Sequence, residues 1–180
     1  LYAELFDNLL EYLQIQECSF MADAMNSRLS EYSKSFLEVQ TADHVKEYDE
    51  FCKINKENDR RRAFFGFLGC LVTSHHISSD WIGELIHSIV NRSISWIYKK
   101  EIFENEKETK RYIEEFSEVV FVFIKQAGVK AISLNLWEPI FKNCLAITQL
   151  KTSAYLLPPK AKFRYMDIID MIKKWDISEE

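Results

Sequence analysis

The first 65 residues of the chain contain neither glycine nor proline. All four glycines (Gly66, Gly69, Gly83, Gly128) and all three prolines (Pro139, Pro158, Pro159) fall later. Sheet folds spend these residues on frequent turns, so such sparse punctuation points to long helices with few connections. The apolar spacing agrees. From Tyr2 to Leu13, Leu5, Leu9, Tyr12 and Leu13 recur at the helical period, with Phe6 and Leu10 beside them. A second helix is expected from about Glu17 to Phe36, burying Phe20, Met21, Met25, Leu29, Tyr32 and Phe36. The charged stretch Leu37 to Asn58 reads as either a polar helix or a long connector.

Arg60 to His75 is the most apolar helix of the first half, with Phe64, Phe65, Phe67, Leu68, Leu71 and Val72. Gly66 and Gly69 lie inside it, and a helical glycine costs roughly 1 kcal/mol relative to alanine. Close approach of a neighbouring helix is the expected compensation. Ser78 or Ser79 can cap a following helix whose buried face is Trp81, Ile82, Leu85, Ile86, Ile89 and Val90, extended by Ile94, Ile97 and Tyr98. Lys99 to Lys110 reads as a charged linker. Tyr112 to Ala127 forms a further helix stopped by Gly128; its Val119 to Ile124 segment favours a strand by composition, but its helical flank and the lack of a partner strand argue against one. Leu134 to Leu150 is a helix with Leu136, Trp137, Ile140, Phe141, Cys144, Leu145 and Ile147 inward, provided that Pro139 occupies its first turn. Pro158 and Pro159 then open a last helix, Lys160 to Lys174.

The chain of 180 residues is long enough for one continuous core, and it reads as a single helical-repeat domain, residues 1–180. Roughly four antiparallel helix pairs at a spacing of about 40 residues match the period of HEAT-type repeats. The expected fold class is therefore all-α, with stacked antiparallel helix pairs in a HEAT-repeat-like α-solenoid. Internal repetition is weak, and a compact bundle fits the same series of helices. The chain opens inside an amphipathic pattern without an initiator Met, so a piece of something longer is expected.

The formal net charge of −5 disfavours a dedicated nucleic-acid binder while leaving room for a local basic patch. No apolar run approaches the roughly 18 to 20 residues of a spanning helix, and the opening residues lack a signal-peptide pattern. No membrane association is expected. Cys18, Cys52, Cys70 and Cys144 are widely spaced and read as reduced thiols of an intracellular protein.

Chemistry-bearing motifs are few. Glu84 and His87 share a helical face, as in di-iron bundles, but that chemistry needs a second such pair and two further inward glutamates. No metal site is expected. His75 and His76 suit a helix C-terminus, where positive charge is favoured. Nucleophile elbows, phosphate loops, dinucleotide fingerprints and zinc-spaced cysteines are all missing, so neither catalysis nor a cofactor is expected. The glutamate-rich Glu101 to Glu118 segment reads as a solvated helix face. One cluster stands apart: between Lys151 and Arg164 lie Lys151, Lys160, Lys162 and Arg164 with no acidic residue, interleaved with Tyr155 and Phe163 and followed by Tyr165. It reads as helix-start charge with core aromatics, or as a contact surface for a partner or RNA.

Two strings carry a resemblance. Arg60-Arg-Arg-Ala-Phe-Phe-Gly-Phe-Leu-Gly-Cys-Leu, followed by Ile77-Ser-Ser-Asp-Trp-Ile and Glu84-Leu-Ile-His87, resembles the Arg-rich entry and "Phe-Ile-Gly-Glu-Leu" helix of the middle domain of eukaryotic translation initiation factor 4G. Lys160-Ala-Lys-Phe-Arg-Tyr-Met-Asp-Ile-Ile-Asp-Met is similar to that family's closing "Arg-Ile-Arg-Phe-Met-Leu-x-Asp-Val-Leu-Asp-Leu" helix, with Trp175 near a family tryptophan. The opening Leu1-Tyr2-Ala3 and the Arg28 to Phe36 helix also fit, so the resemblance spans the chain and about the last three of five repeats. Cys70 stands where the family has glutamate, Lys160 and Lys162 replace arginines, Pro158 and Pro159 replace a serine-rich lead-in, and the Lys99 to Lys110 region is longer.

The resemblance implies a non-catalytic translation-initiation scaffold of the cytoplasm that binds and stimulates a DEAD-box RNA helicase of the initiation factor 4A type. It implies helicase contacts at Lys160, Lys162, Phe163, Arg164, Asp167 and Asp170, although Phe163 is equally a core candidate. Arg60, Arg61 and Arg62 are candidates for mRNA or partner contact, or for a solvated helix entry. A cap-binding protein would be reached through regions outside this fragment. The alternatives are a nuclear adaptor of mRNA processing, decay or cap binding on the same fold, and a helical metalloenzyme using Glu84 and His87. Reversing Lys162 and Arg164 to glutamate together is expected to weaken partner binding without unfolding the domain.

Overall fold

A computed structural model of the chain describes residues 2–15, 19–35, 48–72, 80–99, 105–152 and 155–175. The fold is all-α, and no strand occurs among the described residues. Its helices are α1 (Tyr2–Ile15), α2 (Ser19–Ser35), α3 (Tyr48–Leu71), α4 (Asp80–Ile97), α5 (Glu106–Ala127), α6 (Trp137–Gln149) and α7 (Pro159–Trp175), with a 3₁₀ helix (Gly128–Ser133) after α5.

Two boundaries differ from the sequence reading. The polar stretch ending at Asn58 and the apolar helix starting at Arg60 are one unbroken helix of 24 residues. Nothing in Tyr48 to Leu71 breaks a helix until the buried glycines. Its charged half is laced by pairs one turn apart: Lys53 with Glu50 at 3.3 Å, Arg62 with Asp59 at 3.4 Å, and Arg60 with Glu57. The second difference is at α5, which begins inside the expected linker. Asn105 caps it, its side chain accepting from the Glu108 N–H at 3.0 Å, and Glu106 and Glu108 place negative charge at the positive helix end. High charge density hid an ordinary start signal. Residues 37–47, the caps at Ser78 and Ser79, and the His75–His76 pair lie outside the described residues.

The β-favouring run Val119 to Ile124 is helical, within the most enclosed helix of the fold: Phe116, Val119, Val120, Phe123 and Ile124 are all buried. Gly128 stops α5 at φ 57°, ψ −147°, a conformation essentially reserved for glycine, and its N–H bonds to the Ile124 carbonyl. Pro139 is the third residue of α6, where its missing N–H has no intrahelical partner to lose. The 3₁₀ turn between α5 and α6 was not expected, and Leu136 after it is exposed rather than inward, at φ 59°. Tyr32, expected in the core, is also exposed; its ring instead meets Phe64 edge-on with centroids 5.3 Å apart.

From α3 onward, helices two apart in sequence lie side by side. On α3 and α5, Arg62 faces Glu115, Gly66 faces Val122, and Gly69 faces Phe123 and Ala127, so the two helices run parallel. The seam is close. A Cβ on Gly69 would lie 2.6 Å from the Phe123 carbonyl oxygen, and one on Gly66 would lie 3.2 Å from Val122 Cγ1. These glycines thus have the neighbour their cost required. On its other flank α5 meets α7 through Glu118 and Phe121. Helices α4 and α6 are likewise parallel: Gly83 abuts Asn135, and Asn143 Nδ2 donates to Asn91 Oδ1 at 2.7 Å.

Among sequence neighbours, α4 packs on α5 and α6 on α7, the latter pair antiparallel. Trp96 near the end of α4 stacks on Phe116 of α5 with centroids 5.4 Å apart, and Trp137 at the start of α6 reaches Trp175 at the end of α7 at 6.3 Å. At the front, α1 packs on α3 with an edge-to-face contact of Phe6 with Phe67 at 5.8 Å and with Leu10 buried, and α2 packs on α1.

Candidate partner-binding surface on α7

Helix α7 is amphipathic by register. Ala161, Tyr165, Ile168, Ile169 and Ile172 are buried and fall on one side of a wheel of about 100° per residue. That register puts Lys160, Phe163, Asp167 and Asp170 on the opposite side, with Lys162 and Arg164 at the two flanks. Exposure follows it: Tyr165 is 0% exposed, whereas Phe163 is 64% and Met166 is 40%. Of the two roles open to Phe163, the core role is excluded.

The flanking cations are engaged within the fold. Lys162 Nζ donates to the Leu150 carbonyl at 2.7 Å, placing a cation at the negative C-terminal end of α6. Arg164 grips Glu118 of α5 with both prongs, Nε to Oε2 at 3.0 Å and Nη2 to Oε1 at 3.1 Å, while its guanidinium carbon sits 4.3 Å from the Phe121 ring centroid. It also reaches Asp167 at 3.2 Å, and Lys160 lies 3.9 Å from Glu118. Asp170 pairs weakly with Lys173 at 3.9 Å. Reversing Lys162 and Arg164 would therefore cut the ties of α7 to α6 and α5 as well as alter the surface. The outward set left for a partner is Lys160, Phe163, Met166, Asp167 and Asp170.

The three arginines at the middle of α3 divide in the same way. Arg60 is exposed beside Glu57. Arg61 is only 4% exposed; its guanidinium donates to Asn58 Oδ1 and lies 3.7 Å from Glu115. Burial pulls its pKa down and the Glu115 charge partly restores it. Arg62 is bidentate to Glu115, Nε to Oε1 at 3.1 Å and Nη2 to Oε2 at 2.5 Å. Burial acts against the Arg62 charge too, but the hydrogen bonds and charge of Glu115 outweigh it and the pKa is raised. Arg60 is the solvent-facing member of the trio.

Glu115 and Glu118, read from sequence as part of a solvated face, are buried and bind cations from α3 and α7. The available signal was their position, one turn apart and interleaved with Phe116, Val119 and Val120.

The Glu84 and His87 pair does not converge. Glu84 is exposed, and the His87 ring lies 3.0 Å from Asn91 Nδ2 at the head of the His87–Asn91–Asn143 chain. Among the described residues, no group of three or more His, Cys, Asp or Glu could hold a metal ion. Burial pushes the Cys144 thiol up to about 12. The Tyr165 hydroxyl is raised as well, by burial first and then by Cys144; it lies near Ser93, whose hydroxyl donates to the Ile89 carbonyl at 3.0 Å, but makes no hydrogen bond with it. These buried polar atoms sit among α4, α6 and α7. No described helix is long and apolar enough to cross a membrane. No family model, curated protein or solved structure matches the chain.

Proposed function

We propose that the chain is a non-catalytic scaffold that binds a DEAD-box RNA helicase of the initiation factor 4A type through the outer face of α7. The observation that carries this reading is Phe163, a large apolar side chain 64% exposed in the second turn of a well-packed helix, flanked by Met166 and by charges of both signs. An aromatic ringed by polar groups is the usual anatomy of an interface anchor. It falls on the phenylalanine of the string that resembles the closing helix of the initiation factor 4G middle domain.

Side-by-side packing of α3, α5 and α7, and of α4 and α6, favours stacked helix pairs of the HEAT kind over a closed bundle. Such a stack offers a long surface able to meet two lobes of a partner. A scaffold of this type would raise helicase turnover by binding one arrangement of the lobes better than the other; a tenfold preference corresponds to about 1.4 kcal/mol. Bond-making would belong to the helicase, in the cytoplasm, with mRNA touched secondarily near Arg60.

The test uses purified chain and purified helicase of this type. Direct binding and a rise in RNA-dependent ATPase rate are expected, both lost on Phe163→Ala. Absence of binding at micromolar concentrations would falsify the proposal.

A further inference from the structure

We draw no further inference here: the strongest candidate, the exposed apolar stripe of Tyr2, Leu5, Leu9 and Tyr12 along the outer face of α1, is an unpartnered helix face, and nothing in the structure shows what covers it.

Discussion

Truncating Phe163 to alanine separates a binding role from a folding role. A phenylalanine offers of the order of 200 Å² to burial, and at 64% exposure about 130 Å² of it remains for a partner to cover. At roughly 25 cal/mol per Å², complete covering is worth about 3 kcal/mol, or a loss of about 100-fold in affinity on truncation. The same change removes little from the fold, because the side chain contributes little to the core; the folding free energy should move by less than about 0.5 kcal/mol. Fluorescence titration of labelled helicase with wild-type and Phe163→Ala chains, beside urea unfolding of both, reads the two quantities independently. An affinity within threefold of wild type would remove Phe163 from the interface. A loss of several kcal/mol in stability would instead mean that the ring is packed in the folded chain.

Further changes probe the packing. Gly69→Ala should lower stability by about 2 kcal/mol in urea unfolding, since α3 and α5 must part to admit a methyl group 2.6 Å from a backbone oxygen, whereas Gly66→Ala should be nearly neutral because Val122 can yield and alanine favours a helix; equal effects at the two positions would contradict the described seam. Glu115→Ala leaves the buried Arg61 without its carboxylate and should cost about 3 kcal/mol, read from the shift of the denaturation midpoint. The Lys162→Glu, Arg164→Glu double variant should melt at lower temperature in the absence of any partner, because Arg164→Glu opposes a carboxylate to Glu118; an unchanged melting temperature would refute the assignment of both cations to the fold. Cys144, with its thiol raised to about 12, should resist iodoacetamide at pH 8.5 in the folded chain and react only on unfolding, as mass spectrometry of the alkylated peptides would report.

The helices themselves were legible because their signals are local: period, sparse punctuation, Gly128 as a stop and Pro139 in a first turn. Gly66 and Gly69 were legible for the same reason, since two glycines inside an apolar helix imply something pressed against it. The sequence left open what that something was. The outer position of Phe163 is readable from the register of Tyr165, Ile168, Ile169 and Ile172, which sets it about 170° away from their common face. Charge places Arg62, Arg164, Glu115 and Glu118 at the surface, and periodicity does not correct this, because it assigns a residue to a side of its own helix and says nothing of which helix arrives there. Each carboxylate found its cations on a different helix, 53 residues away for Arg62 and 46 for Arg164. Tyr32 shows the opposite error, an aromatic at helical spacing that ends on the outside.

The two carboxylates of α5 stand one turn apart, and the charge of Arg62 is stabilised by Glu118 as well as by Glu115. A mutation on α3 thus alters the field in which α7 is held, though the two helices bind different carboxylates. Substitutions at Arg62 and Arg164 should therefore be non-additive in their effect on stability, a coupling that a double-mutant cycle reads directly.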